Sequence, residues 1–174
     1  MALEIIGHAI VSADGMIADR DHVMPPKLHS EADWARFQAA LDAASLVVLG
    51  RLGHEAHPNP GRLRLVATRQ VARIELDPKD SRAILWNPQA VPPAAILAEL
   101  AIDGIVAVTG GTGVFDLFRP LFTGFDLVRV PLLTIPDGIP CFSAGDPRVV
   151  LSAIGLHVIQ TAALDSTATL TLWR

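Results

Sequence analysis

The chain predicts an α/β protein: a mixed, mostly parallel sheet flanked by helices, with an antiparallel edge at its C-terminal end. Three observations predict it. Apolar Ile105–Val108 runs into Thr109-Gly110-Gly111-Thr112-Gly113, and apolar side chains then recur at Val114, Leu117, Phe118, Leu121 and Phe122, which is a strand, a tight turn and an amphipathic helix. Strands and helices alternate through the first three quarters of the sequence. The last two β-rich segments have no predicted helix between them, so they pair as a hairpin.

In chain order, residues 3–12 are mostly apolar and predict a central strand. Residues 12–27, SADGMIADRDHVMPPK, form a long irregular segment with a turn at Asp14-Gly15 and a break at Pro25-Pro26. Long loops inside compact domains tend to be functional. A helix follows over 30–44, with Ser30 as N-cap and Trp34, Phe37, Leu41 and Ala44 as its inward stripe. Residues 45–49 predict a second buried strand, ended by Gly50-Arg51; residues 54–62 read as loop, and 63–67 as a third strand closing on Thr68-Arg69. Two short strands, 74–76 and 83–85, flank the charged turn DPKDSR. Residues 92–101 predict a helix with proline in its first turn. After the glycine turn and its helix come a long strand at 125–134, a turn at Pro136-Asp137-Gly138, and two strands at 149–160 and 167–173. No repeat, linker or low-complexity tract divides the sequence, and residues 1–174 read as one domain.

Composition bounds the function. The 174 residues carry 14 basic and 18 acidic side chains, net charge −4, with lysine only at Lys27 and Lys79. No basic stripe suits a nucleic acid backbone, so nucleic acid is not an expected partner. No apolar run approaches the roughly 20 residues of a membrane span, and Glu4 stands where a secretory leader would be basic. No membrane association is expected. A lone cysteine, Cys141, excludes an internal disulfide and fits a reducing cytoplasm; between Pro140 and Phe142 it reads as an inert buried thiol. A mean hydropathy of +0.40 is high for a monomer of this size and points to a homodimer.

Chemistry-bearing residues gather at strand ends. A helix start offers unpaired N–H groups, and glycines admit a phosphate to them, so the turn at Gly110, Gly111, Thr112, Gly113 and Val114 reads as an anion site. It lacks the third glycine of GxGxxG, and no GxxxxGK is present. Arg51 and Arg69, at successive strand ends, offer guanidinium forks to phosphate. Asp33 has two readings: it borders the inward stripe and can face a cavity, and it is also the third helical position, where an acid stabilises any helix. His54 and His57 have metal-ligand spacing, but Pro58 and Pro60 follow and no third ligand is evident, so no metal is expected.

Taken together, SADGMIAD, Asp33 with Phe37, ASLVVLGR, VTGGTGVF and PLLTIPDGIPCF resemble the dihydrofolate reductase-like fold, and within it most closely the reductase domain of bacterial riboflavin biosynthesis. The likeness runs from about residue 5 to residue 142. It implies a three-layer fold, NADPH as cofactor and a small heterocyclic substrate. The resemblance would put Gly110-Gly111, joined by a cis peptide, at the cofactor pyrophosphate. Gly50 and Arg51 would meet the pyrophosphate and the 2′-phosphate, Thr68 and Arg69 the same phosphate or the ribose, and Asp14 and Gly15 the nicotinamide, covered by Met16 and Ile17. Asp33 and Phe37 would hold the substrate, with Asp33 supplying a proton directly or through water.

The implied reaction is hydride transfer to a C=N or C=O carbon of a pyrimidine-like or pterin-like ring, most like 5-amino-6-(5-phosphoribosylamino)uracil reductase. Two departures stand out: Gly53 replaces a threonine that many members carry, and Asp126 stands alone where an acidic pair is common. Lys27, Arg20 and Arg36 are the candidates for a substrate phosphate. The alternatives are a dihydrofolate or other pteridine reductase, and a nucleotide-binding protein without catalysis.

Overall fold

The computed structural model describes residues 2–174. Nine strands make one sheet in the order β10-β11-β8-β1-β7-β3-β4-β6-β5. They are β1 (Glu4–Ser12), β3 (Leu46–Gly50), β4 (Arg64–Ala67), β5 (Ile74–Asp77), β6 (Asp80–Trp86), β7 (Ile105–Val108), β8 (Gly124–Val130), β10 (Val158–Ala163) and β11 (Thr169–Trp173). Short β2 (Met16–Ala18) and β9 (Ile139–Pro140) pair separately. The helices are α1 (Glu31–Ala43), α2 (Arg51–Ala56), α3 (Pro93–Glu99), α4 (Thr112–Phe118) and α5 (Pro147–Ala153). The body of the sheet, from β8 to β6, is parallel; β11 and β10 continue it antiparallel, and so does β5 at the opposite edge.

Side chains alternate across a strand, so the parallel body must be covered on both faces. Leu46, Val48, Leu65, Val106 and Val108 pack with Phe115 and Phe118 of α4, Ile96 and Leu97 of α3, and Val150 and Leu151 of α5. Val47, Leu49, Val66 and Ala107 point the other way, onto Leu41 and Phe37 of α1. The result is three layers, with the sheet between α1 and the other group of helices. A helix start is well specified at α1, where Ser30 Oγ accepts the Asp33 N–H at 3.2 Å and Glu31 and Asp33 lie in the first turn.

Three elements differ from the sequence expectation. Residues 149–160 do not form one strand: Pro147–Ala153 is α5, and the strand begins only at Val158. Asp146 accepts the Arg148 N–H at 2.9 Å as N-cap and Pro147 takes the first helical position, a start signal outweighed in the sequence by β-branched Val149 and Val150. The segment after Gly50 is helical before it becomes loop. Its helix α2 has no buried residue, so no apolar period announces it. Strand β8 ends at Val130 rather than 134, because Pro131 has no N–H for the ladder, and the next residue, Leu132, is 96% exposed.

Topology sets where a ligand would meet the sheet. From β1 the chain moves outward through β3, β4 and β6, returns to insert β7 between β1 and β3, and then crosses to β8 on the far flank of β1. The parallel strands β1, β3, β4 and β7 therefore end on one side, around the point where the direction of winding reverses. Open α/β sheets bind ligands outside such strand ends.

Candidate active site

At that edge the predicted loop ends meet. The Gly50 N–H donates to the Gly110 carbonyl at 3.0 Å, and the peptide bond from Gly110 to Gly111 is cis. Thr109 N–H donates to the Val48 carbonyl at 2.9 Å, which joins the same two strand ends one step earlier. A methyl group built on Gly50 would lie 3.8–3.9 Å from Val114, the Gly110 oxygen and the Gly111 nitrogen. One on Gly111 would meet only Ile17, and one on Gly113 nothing within 4 Å. The backbone here faces open space. Register places Gly50 beside Ala67, so Thr68-Arg69 follows β4 as Gly50-Arg51 ends β3, one strand over. Arg69 is exposed, whereas Arg51 is half-exposed and paired with Glu55 at 3.1 Å.

Two predicted contacts are engaged within the protein. The Thr112 hydroxyl donates to the Pro140 carbonyl, which ties the start of α4 to β9. The Asp14 carboxylate accepts from the Ile135 N–H at 3.0 Å and from the Ser12 hydroxyl, so it pins one loop to another and is absent from the cavity wall described next. Gly15 is in the left-handed region, φ +83°, and its carbonyl accepts the Cys141 N–H at 3.0 Å. Thr68 is buried, and its Oγ accepts the Gln70 N–H at 3.1 Å. Val114 has a core side chain, and its Cγ2 lies under the edge, 3.8 Å from a methyl built on Gly50.

Between β1 and α1 lies a cavity of about 200 Å³. Ile17, Met24, Trp34, Phe37 and Phe115 give it apolar walls, and His8, His29, Ser30, Asp33, Arg36 and Thr109 give it polar ones. Asp33 and Phe37, singled out from sequence, both line it. Burial raises the Asp33 pKa above the usual carboxylate range, against the opposing pull of Arg36. The guanidinium of Arg36 reaches Asp33 Oδ1 at 2.9 Å and Asp126 Oδ2 at 3.2 Å. Arg36 is therefore engaged by two carboxylates, which argues against its role as the anchor of a substrate phosphate. Arg174 closes the chain of charges on Asp126 Oδ1 at 3.1 Å.

Sequence reasoning did not assign His8 to the site. It is 5% exposed, on β1 directly beside Asp126 of β8 in the parallel register, with Nδ1 3.6 Å from Asp126 Oδ2. Burial depresses its pKa from 6.5 to about 4, so the imidazole is neutral near pH 7. The available signal was a lone polar residue in an apolar strand.

The other candidates lie apart. His54 contacts Asp77 at 3.3 Å, and no group of three His, Cys, Asp or Glu that could hold a metal occurs among the described residues. Cys141 is fully buried, which pushes its thiol pKa far up and leaves it unreactive. No helix of the described residues is long and apolar enough to cross a membrane.

No family model and no curated protein matches this sequence. Solved structures do match it. A protein from Shewanella sp. PV-4 described as belonging to riboflavin biosynthesis superposes with a TM-score of 0.71 at 18% identity, over 100% of this chain and 98% of that one. A diaminohydroxyphosphoribosylaminopyrimidine deaminase/5-amino-6-(5-phosphoribosylamino)uracil reductase from Thermotoga maritima gives 0.70 at 15% identity, over 99% of this chain and 56% of that one. Dihydrofolate reductase from Enterococcus faecalis, in complex with NADP(H) and a further ligand, gives 0.69 at 16%, over 98% and 95%. The chain has the dihydrofolate reductase-like fold.

Proposed function

We propose that this chain is an NADPH-dependent reductase that transfers a hydride to a pyrimidine-type heterocycle, with 5-amino-6-(5-phosphoribosylamino)uracil as the nearest substrate class. One observation carries the reading: the joined ends at Gly50 and Gly110 open beside a cavity that holds a buried carboxylate, Asp33. The residues at the edge fit a dinucleotide. Bare backbone at Gly111 and Gly113 admits a diphosphate, and Arg69, with Arg51 following the adjacent strand end, supplies the charge that a 2′-phosphate requires. NADPH, when bound, supplies the hydride.

The protein's own share is orientation and proton handling. Phe37 and Trp34, with ring centroids 6.1 Å apart, form an aromatic wall against which a flat ring can lie. Met24 and Ile17, from the segment after β1, add apolar surface to the cavity wall, where a bound ring would displace water. Asp33 accepts hydrogen bonds from ring N–H or amino groups. Its raised pKa suits it to hold a proton for the atom next to the reduced carbon.

A second reading, a pteridine reductase of dihydrofolate reductase type, is favoured by the charge pattern. Apart from the two histidines, Arg36 is the only basic residue in the cavity wall, and two carboxylates hold it. An unphosphorylated ring suits that wall better than a phosphoribosyl one. Loss of reduced-nicotinamide absorbance with the phosphoribosylamino-pyrimidine, or with dihydrofolate, separates the two. NADPH binding without turnover on either marks a nucleotide-binding protein without catalysis. Calorimetry that detects no NADPH binding at all overturns the reductase reading.

A further inference from the structure

Seven polar or charged residues are buried among the described residues: His8, Ser12, Ser30, Asp33, Arg64, Thr68 and Asp126. Six of them have hydrogen-bond partners. Ser12 bonds Asp14, Ser30 bonds Asp165, Asp33 and Asp126 share Arg36, Arg64 reaches Asp80, and Thr68 accepts from Gln70. His8 is the exception, since its buried Nδ1 has no partner; the Nδ1 of partly buried His54, outside the cavity wall, is likewise unpaired. The 3.6 Å to Asp126 Oδ2 is beyond hydrogen-bond reach. Buried polar groups are rarely left so, and those that are call for an explanation.

That nitrogen faces the Asp126 carboxylate, and the residue that carries it is also placed to meet a ligand. Even-numbered residues of β1 face α1, and the ring of His8 lies in the cavity wall with its centroid 5.9 Å from that of Phe37. Asp33 reaches the same cavity from α1. A carboxylate beside Nδ1 favours the tautomer with its proton on Nδ1, and leaves Nε2, on the opposite ring edge, as an acceptor. Arg36 and Arg174, both bound to Asp126, disfavour a second proton on the ring.

We infer that His8 is a second substrate-recognition residue, a neutral acceptor beside the Asp126 carboxylate that takes an N–H or amino group of the heterocycle while Asp33 takes another. The inference deepens the reductase reading and rests on it for the identity of the ligand. It narrows the substrate to rings with hydrogen-bond donors on two edges, as in amino-substituted pyrimidines and pteridines.

The test uses the full chain saturated with NADP⁺, so that no probe is reduced, labelled with ¹⁵N in its histidine rings, and two probes, 2,4-diaminopyrimidine and dihydrofolate. Either probe is expected to shift the His8 ring nitrogens while His22, His57 and His157, exposed and outside the cavity wall, stay still. His8→Phe keeps an aromatic ring but removes both nitrogens, and is expected to weaken probe binding about 10-fold or more, the loss of one hydrogen bond to a buried partner. His8→Gln, which can still accept, is expected to restore much of it, and NADPH affinity is expected to be unchanged in both. A purely structural His8 would lower the melting temperature of His8→Phe and leave probe affinity alone. That result, or ring signals that move with neither probe, overturns the inference. Failure of the reductase reading looks different: the wild type then neither binds NADPH nor consumes it, whatever the His8 signals do with the probes.

Discussion

The Gly50 N–H donates to the Gly110 carbonyl oxygen across 3.0 Å, so the end of β3 and the turn after β7 are one structural unit although 60 residues apart in sequence. Gly110 is in the left-handed region, φ +101°, and a β-carbon there would lie 2.7 Å from the ring of Phe115. Gly110→Ala is therefore expected to destabilise the fold by about 2–4 kcal/mol, from backbone strain and overpacking together. Urea denaturation measures it. Gly113→Ala, with nothing within 4 Å of its added methyl, is expected to cost far less stability and to show its effect in NADPH affinity.

Asp33→Asn keeps the shape of the side chain and removes its charge and its proton. Turnover is expected to fall by roughly 10²–10⁴, the usual range for loss of a positioned acid–base group. NADPH affinity is expected to stay the same, because the phosphates would bind at the strand ends. Single-turnover kinetics with calorimetry on the same variant checks both halves.

Arg69 and Arg51 differ in what holds them. Arg51 is paired with Glu55, while Arg69 is exposed at the next strand end. Arg69→Gln is expected to weaken NADPH binding about 10-fold or more and NADH binding hardly at all, since a charge-assisted hydrogen bond contributes about 1.5–3 kcal/mol. Arg51→Gln is expected to have the smaller effect. The ratio of dissociation constants for the two cofactors is the measurement.

His8 also makes a pH prediction. Its pKa is 6.5 as an ordinary imidazole and about 4 when folded, so the unfolded chain binds the extra proton first. The contribution is fully present above pH 6.5 and is lost as the pH falls to about 4, with a total on the order of 3 kcal/mol. Asp126 opposes the shift, while Arg36 and Arg174 reinforce it. Urea melts at pH 7.5 and pH 4.5 are expected to show a larger acid loss in the wild type than in His8→Gln. Equal losses would mean that the imidazole is protonated in the fold.

What was legible in the sequence follows the range of the signal. The strand, turn and helix at 105–118 were readable because apolar period and glycine placement act over a few residues. That Asp33 borders the inward face of its helix was readable because Phe37 and Leu41 define that face, although Trp34, expected on it, is 45% exposed. Helix α2 has no buried residue, and α5 carries Val149 and Val150, so in each the local pattern was silent or pointed to a strand. The cluster of His8, Arg36 and Asp126 was not readable at all. Arg36 and Asp126 are 90 residues apart, and His8 meets Asp126 only because β7 inserts on one flank of β1 and β8 on the other.

Of three tryptophans, Trp86 is fully enclosed, Trp173 is 7% exposed, and Trp34 is 45% exposed on the cavity wall. The protein thus carries a native optical probe at one place only. An occupant that stacks on Trp34 changes its emission by contact, which does not reach the two shielded indoles. Trp34→Phe is expected to abolish the ligand-dependent signal and leave most of the light, so cavity occupancy can be followed in unlabelled protein.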